Sequence, residues 1–237
     1  MFGQTQLSIR RDTNAIRVLI LLFASIVITV PVNPADAATK SKSTKNSKSQ
    51  EIKCKPTKAK AHSPIEVEPA EVNPKRLPKT ITLETNCGDI QITTLASKAP
   101  VTVAHMAKLA RNGFFDESIC HRLINRGAYV LQCGDPTATG KGGPKFVFQD
   151  ENLPMGAKGN YPEGTVAMWN KGPGTNGSQF FLVYSDTTLI KANYTIWGTI
   201  TEGLEIVKAI AKMGVQGGGL EGAPSQMISI EKVVISN

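Results

Sequence analysis

One arginine, two glutamines and a pair of phenylalanines stand at spacings suited to gripping a peptide. Arg122 directly follows His121, and Gln132 lies ten positions on. The run Gly172-Pro173-Gly174-Thr175-Asn176-Gly177-Ser178-Gln179-Phe180-Phe181 then joins a glycine-rich loop to a strand with one amide and two aromatics. A guanidinium gives fixed, permanently charged donors, side-chain amides bond to backbone, and an aromatic floor accepts an apolar ring. Taken singly, each residue has a plainer reading: a surface arginine, a solvated strand amide, a core aromatic. Other chemistries fit poorly. Ser178 lacks the G-x-S-x-G elbow of a hydrolase, and no His/Asp pair can be assigned to it. His62, His105 and His121 show no paired spacing with the cysteines and no Cys-x-x-Cys occurs, which argues against zinc. No cofactor is called for.

Together, His121-Arg122, Gln132, Asp150-Glu151-Asn152, the run 172–181 and Trp197-Gly198 resemble the signature of the cyclophilin-type peptidyl-prolyl cis-trans isomerases, over roughly residues 81–237. The resemblance implies a closed eight-stranded antiparallel barrel capped by two α-helices, mainly β, with the ligand groove on its outer wall. It implies catalysis by Arg122 with Gln132. Tyr129, Val130, Trp169, Asn170, Gln179, Phe181, Leu189, Ile190 and Tyr194 would line the substrate groove. Phe181 would be the floor of the proline pocket, and the backbone of Asn170 would bond the peptide ahead of the proline. Rotation about an X-Pro bond faces a barrier of roughly 18 to 20 kcal/mol, which a donor aimed at the prolyl nitrogen lowers by stabilising the twisted state.

The chain also departs from the family pattern. Arg122 and Gln132 are two residues further apart than in cytosolic eukaryotic members, which lengthens a hairpin turn. Trp169 replaces a small residue and narrows the subsite before the proline. Leu189 stands where many eukaryotic members carry Trp, a change that bears on cyclosporin binding, and Tyr194 replaces a groove His. The reading from a different class is a proline-peptide-binding module or holdase with little turnover, which Trp169 and Tyr194 favour.

The elements that must position these residues follow from patterning. Thr80–Glu84 and Ile90–Leu95 alternate across Asn86-Cys87-Gly88-Asp89 as a hairpin. After Pro100, Val103, Met106, Leu109 and Ala110 recur at helical spacing until Gly113. Ile119–Ile124 and Tyr129–Cys133 form a second hairpin, and residues 134–163 are too long and glycine-rich for a neutral connection. Further strands are expected at 165–169, 179–183, 194–200 and 227–235, with a helix over 204–212. Many short strands and two helices point to a barrel rather than a layered α/β sheet.

The first 37 residues have the order of a secretory signal: Arg10, Arg11 and Arg17, then the uncharged run Val18–Val30, then Ala35-Asp36-Ala37. That run is thirteen residues, against roughly 20 for a membrane-crossing helix. Cleavage after Ala37 and retention as an anchor both remain open. Residues 38–78 read as a lysine-rich disordered linker, with the domain at 79–237. Residues 38–80 hold eleven Lys/Arg against four Glu, so nearly all of the chain's +8 lies outside the domain. Such a tract serves most simply as a solvated tether that keeps the domain off a surface, and it also suits an anionic membrane or cell-wall surface. It carries no interleaved aromatics to stack bases, which argues against nucleic acid. The expected place of work is extracytoplasmic, secreted or membrane-anchored, as a monomer acting on proline-containing polypeptides. Cys54, Cys87, Cys120 and Cys133 permit disulfides in three pairings.

Overall fold

The computed structural model describes residues 52–237 apart from Ala157, Ile190 and Ala192. The leader, the linker up to Glu51 and the groove candidate Ile190 therefore lie outside the described residues. In chain order the elements are β1 (Thr80–Thr85), β2 (Gly88–Thr94), α1 (Pro100–Arg111), β3 (Ser118–Ile119), β4 (Arg122–Ile124) and β5 (Val130–Cys133). There follow β6 (Thr165–Met168), β7 (Phe180–Val183), β8 (Ile196–Glu202), α2 (Leu204–Met213), β9 (Glu221–Gly222) and β10 (Ser229–Ser236).

The closed eight-stranded barrel is not what forms. Ten strands make one antiparallel sheet in the order β3-β10-β1-β2-β8-β6-β7-β5-β4-β9, and its end strands β3 and β9 do not pair with each other. The physical reason lies in the run read as a single strand, Ile119–Ile124. It breaks at Cys120-His121: β3 pairs with β10, with Ile119 opposite Ser229, while β4 pairs with β5, with Arg122 opposite Gln132. Two residues cannot span a flat ten-stranded sheet, so the sheet curls until its ends approach through covalent chain instead of a hydrogen-bonded ladder. A disulfide between Cys120 and Cys133 spans the break.

Side chains alternate across each strand, and both faces of the middle strands are buried. Leu123, Leu131, Cys133, Met168, Phe180, Leu182 and Trp197 point into the main core. Their neighbours Ile124, Val130, Ala167, Phe181 and Val183 form a second apolar cluster on the opposite face. Helix α1 opens with Pro100, and the Glu151 carboxylate accepts the backbone N–H groups of Val101 (3.1 Å) and Thr102 (2.8 Å), two of the four that a helix start leaves unpaired.

Residues 52–78 differ from the free tether expected there. Apart from a short 3₁₀ turn at Pro74–Arg76 they lack regular structure, yet they are fixed to the domain. Cys54 is bonded to Cys87, Ala59 and Val67 are buried, and Ala70 N–H donates to His105 Nδ1 (3.0 Å). The Lys55 and His62 amides donate to the carbonyls of Asn86 (2.7 Å) and Pro136 (2.9 Å). A composition argument weighs only apolar burial against ordering entropy. Here a crosslink and directed hydrogen bonds supply the rest.

Candidate active site

Strand register brings the polar candidates into one row. Gln132 on β5 lies opposite Arg122 on β4 and opposite Phe181 on β7. Their side chains form a directed series: Arg122 Nη1 donates to Gln132 Oε1 (2.8 Å), Gln132 Nε2 to Gln179 Oε1 (2.7 Å), and Gln179 Nε2 to the Gly142 carbonyl (2.8 Å). A guanidinium can only donate and a carbonyl can only accept, so the two ends fix the orientation of both amides. Gln132 is buried at 1% exposure and Gln179 at 7%, whereas the Arg122 side chain keeps 32%. The guanidinium is the part of the row that reaches solvent. Gly142 must be glycine, because a Cβ there would fall 2.1 Å from Asp135 Oδ1. Asp135 in turn accepts the Gly142 and Thr137 amides and secures the loop.

The second apolar cluster lies beside this row. Phe181 is flanked by Tyr161 (5.9 Å between ring centroids) and Tyr194 (5.5 Å), and Tyr194 meets Trp169 edge-on at 6.2 Å. Val130 belongs to the cluster, and Leu189, Trp169 and Tyr194 pack against it. Tyr129 stands apart: it is 38% exposed and packs edge-on against Tyr184 at 6.0 Å. Asn170 is buried with its amide turned inward, donating to the Asn193 carbonyl (2.9 Å). Asp150 anchors the same loop through Asn176 (2.8 Å) and the Gly174 amide (2.8 Å). A cavity of about 380 Å³ adjoins the row; Gly142 and Gln179 line it together with Trp169 and Asn170.

Burial governs the local electrostatics. His121, next to Arg122, has its pKa lowered chiefly by burial; Asp135 opposes this and Arg122 adds to it. Its ring is therefore neutral at neutral pH. Tyr161 is pushed up to about 12, again mainly by burial. Its neutral hydroxyl accepts the Tyr194 amide (3.0 Å) and donates to the Tyr194 carbonyl (3.1 Å), which fixes that backbone against the cluster.

This geometry has counterparts in known proteins. A model of the cyclophilin type peptidyl-prolyl cis-trans isomerase family matches residues 80–235. The chain belongs to the cyclophilin family. This cyclophilin is 38% identical over 192 residues to the "Probable peptidyl-prolyl cis-trans isomerase B" of Mycobacterium tuberculosis, covering 76% of the chain but only 60% of that relative. The corresponding protein of Mycobacterium leprae is 40% identical over 190 residues, with 62% of it covered. "Peptidyl-prolyl cis-trans isomerase A" of Mycobacterium tuberculosis is 37% identical over 174 residues, 66% of the chain and 92% of the relative. Among solved structures, a cyclophilin type isomerase of Cryptosporidium parvum superposes with a TM-score of 0.59 at 30% identity, over 68% of this chain and 98% of that one. The same protein has been crystallised in the presence of the dipeptide Ala-Pro, with a TM-score of 0.58 to this cyclophilin.

Two parts of the site escaped the sequence reading. Glu221, on the two-residue strand β9, accepts from Arg122 Nε (2.8 Å) and lies 2.7 Å from Nη2. No periodicity marks a strand that short. Tyr161 lies in a glycine-rich loop, where the residue pattern says nothing of a buried ring.

Proposed function

We propose that this cyclophilin is a peptidyl-prolyl cis-trans isomerase that accelerates proline-limited folding of proteins outside the cytoplasm. The observation that carries the reading is the fixed series Arg122–Gln132–Gln179 alongside the apolar cluster of Phe181. A proline ring enters the cluster while the amides hold the flanking backbone. As the bond twists, the nitrogen lone pair localises and becomes an acceptor for the Arg122 guanidinium. That donor binds the twisted state better than either planar one, so it lowers the barrier and leaves the equilibrium unchanged. Crystallisation of a related isomerase with Ala-Pro supports a proline-containing ligand.

The export order of the N-terminus supports an extracytoplasmic site of action, as do the disulfides Cys54–Cys87 and Cys120–Cys133, which leave no cysteine free among the described residues. Uncatalysed prolyl isomerisation takes tens to hundreds of seconds, slow enough to limit folding there. Lys53, Lys55, Lys58 and Lys60 are exposed on the anchored segment, which supports attraction to an anionic surface. The test is a protease-coupled prolyl-peptide assay on the full chain and on Arg122→Ala. A loss of about 100-fold in kcat/KM is expected, the scale of removing one transition-state donor. Proline-peptide binding with negligible acceleration by the wild-type protein would select the holdase reading instead.

A further inference from the structure

We infer that Glu221 is a positioning residue for Arg122, aiming its guanidinium at the groove. This rests on the isomerase reading above and adds a residue to it. A guanidinium has five N–H donors in a rigid plane. One Glu221 oxygen accepts from Nε (2.8 Å) and lies within ion-pair distance of Nη2 (2.7 Å), and Gln132 accepts from Nη1 (2.8 Å). Three N–H groups remain, one on Nη1 and two on Nη2, and the plane of the group is set from two sides. Gln132 alone leaves the group free to turn about a single bond.

Register explains how Glu221 reaches this place. On β9 it lies opposite Ile124, and Ile124 shares a face of β4 with Arg122, so the carboxylate approaches Arg122 along the diagonal of the pair. The β9 backbone is itself fixed. The Asn125 amide donates to the Leu220 carbonyl (2.8 Å), and the Gln216 amide to that of Ala223 (2.9 Å). Gly222 has φ 151°, and a Cβ there would meet Val215 Cγ1 at 2.9 Å. The segment is thus held close by a residue with no side chain.

A carboxylate can also quench the charge it orients. The two side chains are 32% and 54% exposed, and water screens charge pairs of this kind strongly. Orientation is short-ranged and escapes that screening, so it is the larger effect here.

The experiment measures kcat and KM separately on a prolyl peptide for full-length wild type, Glu221→Ala, Glu221→Gln, Arg122→Ala and the double variant Arg122→Ala/Glu221→Ala. It also follows the Arg122 Nε–H signal by NMR, assigned by its absence in Arg122→Lys. Glu221→Ala is expected to lower kcat roughly threefold to tenfold, less than the roughly 100-fold of a catalytic group misplaced by about 1 Å, with KM within about twofold. Glu221→Gln keeps an acceptor oxygen and should recover most of the loss. In the Arg122→Ala background Glu221→Ala should change nothing further. The Nε–H signal should shift and broaden in Glu221→Ala. Unchanged or raised kcat in Glu221→Ala would overturn the inference, as would an equal loss with Arg122 already removed. Full activity of Arg122→Ala would instead sink the isomerase mechanism on which it rests.

Discussion

Phe180 and Phe181 are adjacent, both almost fully buried at 1% and 5% exposure, and they serve opposite faces of the same strand. Phe180 packs edge-on against Phe115 (6.1 Å) and Trp197 (5.9 Å) inside the curled sheet. Phe181 packs against Tyr161 and Tyr194 on the outside, beside Gln132. Burial therefore does not separate scaffold from candidate groove; strand parity does. The inner face is continuous with the helices and closes the fold. The outer face carries the half-buried guanidinium of Arg122.

That contrast can be broken by experiment. Leu182, fully buried on the inner face, should cost about 3 kcal/mol of unfolding free energy when cut to Ala, with activity per folded molecule unchanged; urea denaturation and active-site titration together check this. Arg122→Ala should do the reverse, losing about 100-fold in kcat/KM at a cost of only about 1 kcal/mol in stability, that of leaving the Gln132 oxygen unpaired. If either substitution moved both quantities strongly, the two faces would not be separable. Trp169→Ala sharpens the comparison at the groove's edge. By widening the subsite before the proline it should raise kcat/KM about tenfold for peptides with a bulky residue there, the low end for a one-methylene change in an apolar pocket, and leave Ala-Pro peptides unaffected. Equal effects on both peptides would refute the narrowing.

The smallest effect concerns the anchored segment. Burial lowers the pKa of His105, with Glu151 opposing, and its Nδ1 accepts the Ala70 amide. The unfolded chain thus takes up this proton first as pH falls. The stability from neutral His105 is complete above about pH 6.5 and is lost progressively below it. Melting temperature should drop between pH 7.5 and pH 5, and the drop should shrink in His105→Gln. A drop of the same size in the variant would assign it to other groups, His121 among them.

The first hairpin, both helices and the hydrogen-bonded row were legible because each leaves a local mark: alternation across a turn, helical spacing after a proline, an amide and two aromatics after a glycine loop. Three features left none. The break at Cys120-His121 depends on β10, more than a hundred residues away, competing for Ile119. The pairing of Cys54 with Cys87 depends on where the segment before Ala59 comes to rest. Glu221 reads as one more surface acid until β9 brings it against Arg122. All three are long-range pairings, which no local pattern encodes. Tyr129 is a different case: the resemblance places it in the groove, and its exposed ring packs against Tyr184 and is not part of the Phe181 cluster.

The most direct test of the central claim is exchange NMR on a saturating X-Pro peptide, which reads the on-enzyme cis-trans rate apart from affinity. Wild type should interconvert the bound isomers far faster than Arg122→Lys, which keeps the charge but loses the planar fork, while both bind the peptide alike. Equal interconversion rates in the two proteins would contradict the account.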